Sequence, residues 1–243
     1  MIDSAPFPQE GLLHRLLAYN ACDVADAIES FGIRLRNQGF MDSSVCCRYA
    51  GGSAMAGFAV TLQVRTAAPP IAGGHLVEHA EWWAAFDAIP TPRILVIEDV
   101  DRHPGVGAFV GKTHAHVFKA LGAIGVVTNG ALRDLDELEA MEMKGFSGSI
   151  AVSHAYAHIV SVGHEVHVGG LTVSPGDILH GDRHGVIQVP HSIVEKLPEA
   201  IERHRESENN IIDLCLREDF SAAALREKIE QDGWPGGLRS APH

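Results

Sequence analysis

The stretch GAFVGKTHAHVFKALGAIGVVTNGALRD, residues 107–134, decides the fold class. A Gly-rich loop at 104–111 opens into an amphipathic run at 112–121. Gly122 and Gly125 punctuate the end of that run, and a short apolar run follows at 124–128. The first run has helical spacing and the second is short and β-branched, as in a buried strand. Just before the loop, RILVIE at 93–98 is a second buried-strand pattern. Strand, loop, helix, strand is the grammar of an α/β protein.

Working outward, residues 10–32 read as helical, with Asp23 expected to cap a short second helix beginning near Val24. Residues 54–64 read as a strand and 76–86 as a helix carrying Trp82 and Trp83, closed by Pro90 and Pro92. Gly130 reads as a turn and 134–143 as a helix. Up to Pro190 the chain breaks into short β-rich runs, and 192–231 is a charged helical segment. A compact α/β core about 20–190 with a β-rich flank is expected, rather than a long βαβ series, followed by a C-terminal helical arm about 191–243. The whole chain, 1–243, is expected to be one domain, with no internal repeat.

Composition narrows the function classes. At 243 residues, 46% hydrophobic and 21% charged, the chain can bury a core without staples. Cys22, Cys46, Cys47 and Cys215 have no zinc or disulfide spacing, so a reduced cytoplasmic protein is expected. The N-terminus lacks the basic start and apolar run of a signal peptide, and no run approaches the ~18 apolar residues of a membrane span. A formal net charge of −12 without a basic block argues against nucleic-acid binding. A small anionic substrate needs only one or two local cations or a metal.

The loop imitates a phosphate-binding P-loop without being one. G-x-x-x-x-G-K-[ST] places its first glycine at position 106, which is Val106. The amides of Gly111, Lys112, Thr113 and His114 at a helix start still suit an anion such as a carboxylate. An ordinary glycine turn with a solvated lysine is the equal alternative. Arg133 and Asp134 follow a buried strand, where α/β sheets place ligands. Arg133 offers a fork for a carboxylate and Asp134 a ligand for a hard cation. The opposing reading is a capping box, since Glu137 stands three residues after Asp134. His154 and His158, and His164 and His167, lack a convincing metal-ligand geometry. The turns at Asp177 and Asp182 read as structural.

Together these segments resemble the RraA-like family. DVADAIESFG (23–32) resembles its early helix and GFAVTLQV (57–64) its G-x-A-x-T strand. Residues 107–134 resemble its core signature, and VGGLTVSPGDILHGDRHGVIQVP (168–190) its late signature. The resemblance implies a β/β/α swivelling-domain fold, a homotrimer or a dimer of trimers, and sites at subunit interfaces. It implies a lyase that uses Mg²⁺ or Mn²⁺ on a small 2-keto acid. The reaction would be cleavage of 4-hydroxy-4-methyl-2-oxoglutarate, with oxaloacetate decarboxylation through the same pyruvate enolate. Gly111, Lys112, Thr113 and His114 match the substrate loop, Arg133 the substrate-binding arginine and Asp134 the metal-binding aspartate. Arg133 and Lys112 are the expected catalytic pair. Glu208 matches a glutamate contributed across the interface.

Lys112 departs from the family, whose aldolase-like members carry Asp or Glu there. Three consequences are open: weakened metal binding with lost activity, a lysine that holds a substrate carboxylate, or a lysine that partly replaces the metal's charge. A basic residue usual in the segment matching 154–158 is also missing, with His154, Tyr156 or His158 as substitutes. The family also includes non-catalytic inhibitors of an RNA-degrading endonuclease. A protein regulator and a lyase for another substrate therefore stand as alternatives.

Overall fold

The computed structural model describes residues 7–8, 10–49, 53–71 and 79–236. Its elements run α1 (Glu10–Leu16), α2 (Ala21–Ser30), β1 (Cys46–Cys47), β2 (Met55–Arg65), α3 (His79–Asp87), β3 (Arg93–Asp99), β4 (Ala108–Val110), α4 (Lys112–Ala120) and β5 (Ala123–Leu132). There follow α5 (Leu135–Ala140), β6 (Lys144–Ile150), β7 (His158–Val162), β8 (Val166–Val168), β9 (Leu171–Val173), β10 (Ile178–Asp182), β11 (Gly185–Val189), α6 (Leu197–Cys215) and α7 (Ala222–Asp232).

One large sheet has the order β1-β6-β5-β3-β2-β10-β11, with β4 added to β5 and β7 to β2. Its centre, β6-β5-β3-β2, is parallel, and β10 and β11 extend it antiparallel. The two faces separate by the period of two that a strand imposes. Phe58, Val60 and Leu62 of β2 and Leu95 and Ile97 of β3 pack in a core shared with the helices. Ala59, Ile94 and Val96 pack on the opposite side with Val166, Val168, Leu171 and Val173 of the β8-β9 hairpin. Helices, sheet and hairpin make three layers, the β/β/α arrangement expected. Each fully buried Phe or Leu contributes about 1.5–3 kcal/mol of transfer free energy to this core.

The central strands are joined through α3, α4 and α5, so they do form a βαβ series, contrary to the sequence expectation. The strand that completes it is β6, KGFSGSI, whose glycines and serines hide its β character. Those small residues are there for close approach. A Cβ on Gly148 would lie 2.3 Å from the Asn129 carbonyl oxygen.

Two other expectations change. Helix α2 is capped by Asn20, whose side chain accepts from the Asp23 amide, while Asp23 answers as the third residue of the capping box. Gly130 lies inside β5 and is not a turn. The first residues of the helix expected at 76–86 lie outside the described residues. Helix α6 buries Leu197, Ala200 and Ile201 against the helical layer, whereas α7 has no buried residue. Among the described residues no helix is long and apolar enough to cross a membrane.

Candidate functional site

The site forms because β5 changes partners midway. From Ala123 to Thr128 it pairs with β3. Its register then shifts, and Ala131 and Leu132 pair in parallel with Ala108 and Val110 of β4. The Arg133 amide donates to the Val110 carbonyl at 3.3 Å, continuing that ladder. Parallel pairing makes both strands end together. Gly111-Lys112, which opens α4, therefore lies beside Arg133-Asp134, which opens α5. This is the carboxyl end of the parallel strands, where open α/β sheets bind ligands.

Asp134 adopts the left-handed conformation, φ 53° and ψ 46°, which is strained for a residue with a side chain. That turn points its carboxylate away from its own helix. It makes no capping bond in α5, so the capping-box alternative fails. Instead Oδ2 accepts from the Lys112 amide at 2.8 Å, and Oδ1 lies 3.4 Å from Arg133 Nε. Asp134 thus caps α4, whose N-cap, Gly111, has no side chain to do so. The Lys112 amide bond, then the Arg133 and Lys112 charges, hold its carboxyl below the usual 3.8.

Gly111 is required by this contact. A Cβ there would lie 2.7 Å from Asp134 Oδ2 and 2.9 Å from Arg133 Cγ. Gly111→Ala is expected to push both site residues out of place; for the reaction proposed below this would lower kcat/KM by about 10²-fold, the scale of a misplacement near 1 Å. Melting temperature should move only a few degrees. Wild-type kinetics in this variant would show that the two side chains need not sit where they do.

Lys112 is exposed, and its ammonium lies 3.8 Å from Glu137 Oε1. An ion pair this open contributes little and leaves the lysine free to swing. Thr113 is exposed. The His114 ring stacks on Phe109 at 4.7 Å and on Phe118 at 5.8 Å, so packing fixes its position. The amides of Thr113 and His114 lie in the first turn of α4, at the positive end of the helix dipole. The structure therefore brings together Gly111, Lys112, Arg133 and Asp134, and carries Thr113 and His114 alongside through the first turn of α4. It does not bring Glu208 to this group within the chain. Glu208 lies in α6 beside His204 and Asp26. The contributions of β4 and of Phe109 beneath His114 had no clear signal in the sequence, because a three-residue strand in a glycine-rich loop has no periodicity to read.

Residues 21–188 match the model of the RraA-like family, described as aldolase/RraA. Among curated proteins, DlpA of Legionella pneumophila is 23% identical over 200 residues, 81% of this chain and 30% of its own. MJ0644 of Methanocaldococcus jannaschii is 31% identical over 103 residues, 41% of this chain and 48% of its own. The chain thus spans less than half the length of either relative. Among solved structures, an uncharacterized protein from Pseudomonas syringae pv. tomato superposes with a TM-score of 0.67 at 21% identity, covering 94% of this chain and 99% of that one. RraAS2 of Streptomyces coelicolor, described as an unusual member of the RNase ES inhibitor RraA protein family, gives 0.66 at 20% identity, covering 83% and 96%. At those identities the likeness is one of fold. The family match spans more than half of the chain and includes both halves of the Gly111–Asp134 site, and this chain belongs to the RraA-like family.

Proposed function

We propose that the chain is a divalent-metal-dependent lyase for a small dicarboxylic 2-keto acid, cleaving or decarboxylating it through a pyruvate enolate. The observation that carries this is the meeting of one ionised carboxylate, Asp134, with two cationic side chains and a helix N-terminus. Asp134 fits a hard cation such as Mg²⁺ or Mn²⁺, which commonly takes one or two carboxylates and keeps several waters. Its side chain is 30% exposed, which leaves lone pairs open to solvent. When bound, that ion would act as a Lewis acid at the keto acid.

The remaining work falls to the chain's own groups. Arg133 presents a planar fork to the carboxylate beside the keto group. The first-turn amides of α4 add the positive end of the helix dipole. Lys112, free to leave Glu137, takes the distal carboxylate. In 4-hydroxy-4-methyl-2-oxoglutarate the 4-hydroxyl loses its proton, the C3–C4 bond breaks and C4 becomes a carbonyl. The bonding pair stays on C3 as the enolate of pyruvate, which is then protonated to the second pyruvate. Negative charge grows on the enolate oxygen, where Arg133 and the α4 amides stabilise it. Oxaloacetate losing carbon dioxide gives the same enolate. In this reading Lys112 is a specificity residue, and the family's usual acid is dispensable.

The test is pyruvate release from both keto acids, with and without Mg²⁺ or Mn²⁺. Wild type is expected to turn over at least one of them only with metal. Lys112→Asp should raise KM at least about tenfold by exchanging a charge-assisted hydrogen bond for a like charge. Activity gained in Lys112→Asp from an inactive wild type would mean that the lysine has switched the chemistry off. No turnover in either protein would favour a regulator that binds a protein partner.

A further inference from the structure

A second group of ligand-type side chains lies on other elements. His204 and Glu208 are one turn apart on one face of α6, and Asp26 reaches them from α2. His204 Nε2 lies 3.6 Å from Asp26 Oδ2 and 3.6 Å from Glu208 Oε1, and the three ligand atoms all lie within 4.8 Å of one another. Around an ion with bonds near 2.1 Å, tetrahedral ligands sit ~3.4 Å apart. The two His204 distances are already close to that, and the Asp26 and Glu208 oxygens must close from at most 4.8 Å.

Charge favours this. Among the described residues neither Asp26 nor Glu208 forms an ion pair with a lysine or arginine. Arg205, a neighbouring cation on α6, is committed to Asp23 at 2.7 Å. The two carboxylates flank the His204 ring across a helix junction. The imidazole is mostly buried, at 12% exposed, and so is held in place, while the carboxylates are 40% and 41% exposed and leave an entry path. Packing that fixes the ring lowers the cost of ordering the site.

We propose that Asp26, His204 and Glu208 bind a first-row transition-metal ion, Zn²⁺ or a close relative, and that this ion clamps α6 onto α2. One imidazole and two carboxylates with an open fourth position is a zinc-type donor set, whereas Mg²⁺ prefers oxygen ligands. Within the chain this group lies apart from Asp134, and its metal affinity does not depend on the lyase reading.

The experiment uses the full chain stripped of metal, titrated with Zn²⁺ and separately with Mg²⁺ by calorimetry and by melting. One Zn²⁺ is expected to bind per chain, raising Tm by about 5–10 °C at a hundredfold excess over Kd. Affinity should fall at least about tenfold in both His204→Ala and Glu208→Gln, the second of which keeps the side-chain shape, and stay unchanged in Asp134→Asn. Absence of Zn²⁺ binding in the wild type overturns the proposal. So does binding that survives His204→Ala and Glu208→Gln, or that vanishes only in Asp134→Asn.

Discussion

On the lyase reading proposed above, Asp134→Ala is expected to reduce metal-dependent pyruvate release at least about 10³-fold, because it removes the carboxylate assigned to the ion in a step where a Lewis acid supplies several kcal/mol. It also removes the acceptor for the Lys112 amide, at a cost of about 1 kcal/mol in the capping of α4. The two effects separate with Asp134→Asn, which keeps an acceptor oxygen for that amide and loses only the charge. Both variants should lose turnover, and only Ala should lower the urea midpoint. Turnover retained in Asn would show that the negative charge is not needed and that the ion, if required, binds elsewhere. The same contacts set the pH behaviour. Because the folded-state pKa of Asp134 is depressed, its contribution to stability is complete above about the usual 3.8 and is lost as pH falls through the lower folded value. An acid limb on the rate profile in the range 5–7 would have to come from another group.

The largest stability loss is expected from Phe118→Ala, about 3–5 kcal/mol in urea unfolding, the range for an aromatic deleted from a packed core. Phe118 is fully buried on the inner face of α4. Its ring stacks on Phe86 at 5.5 Å and 4°, meets Trp82 edge-on at 5.7 Å, and lies 6.4 Å from Phe109. It also lies beneath His114. The cavity would therefore open directly under the first turn of α4. Phe118→Leu, which refills part of the space, should recover at least half of the loss. A loss below about 1 kcal/mol for Ala would mean that α4 is not anchored through this cluster, and that the site's rigidity has another source.

Much of this protein was readable along the chain. The helix at Lys112–Ala120 and the buried strand beginning at Ala123 announced themselves through period and glycine punctuation, because helix and strand periodicity are local properties. The candidate residues Gly111, Lys112, Arg133 and Asp134 were likewise found from local motifs and family resemblance. Their common location was not readable. It depends on β5 exchanging β3 for β4 after Thr128, a pairing between segments more than twenty residues apart, decided by which strand edge is free. The role of Asp134 also turned on tertiary structure. Its spacing to Glu137 is that of a helix cap, but its left-handed backbone sends the carboxylate to another helix. Likewise His204 and Glu208 show their one-turn spacing in sequence, while Asp26 joins them only because α2 packs against α6. The sequence by itself determined the longer helices, the apolar strands and the chemical inventory. Only the tertiary structure decided which charges meet, because that depends on contacts between segments far apart in the chain, to which local periodicity is blind.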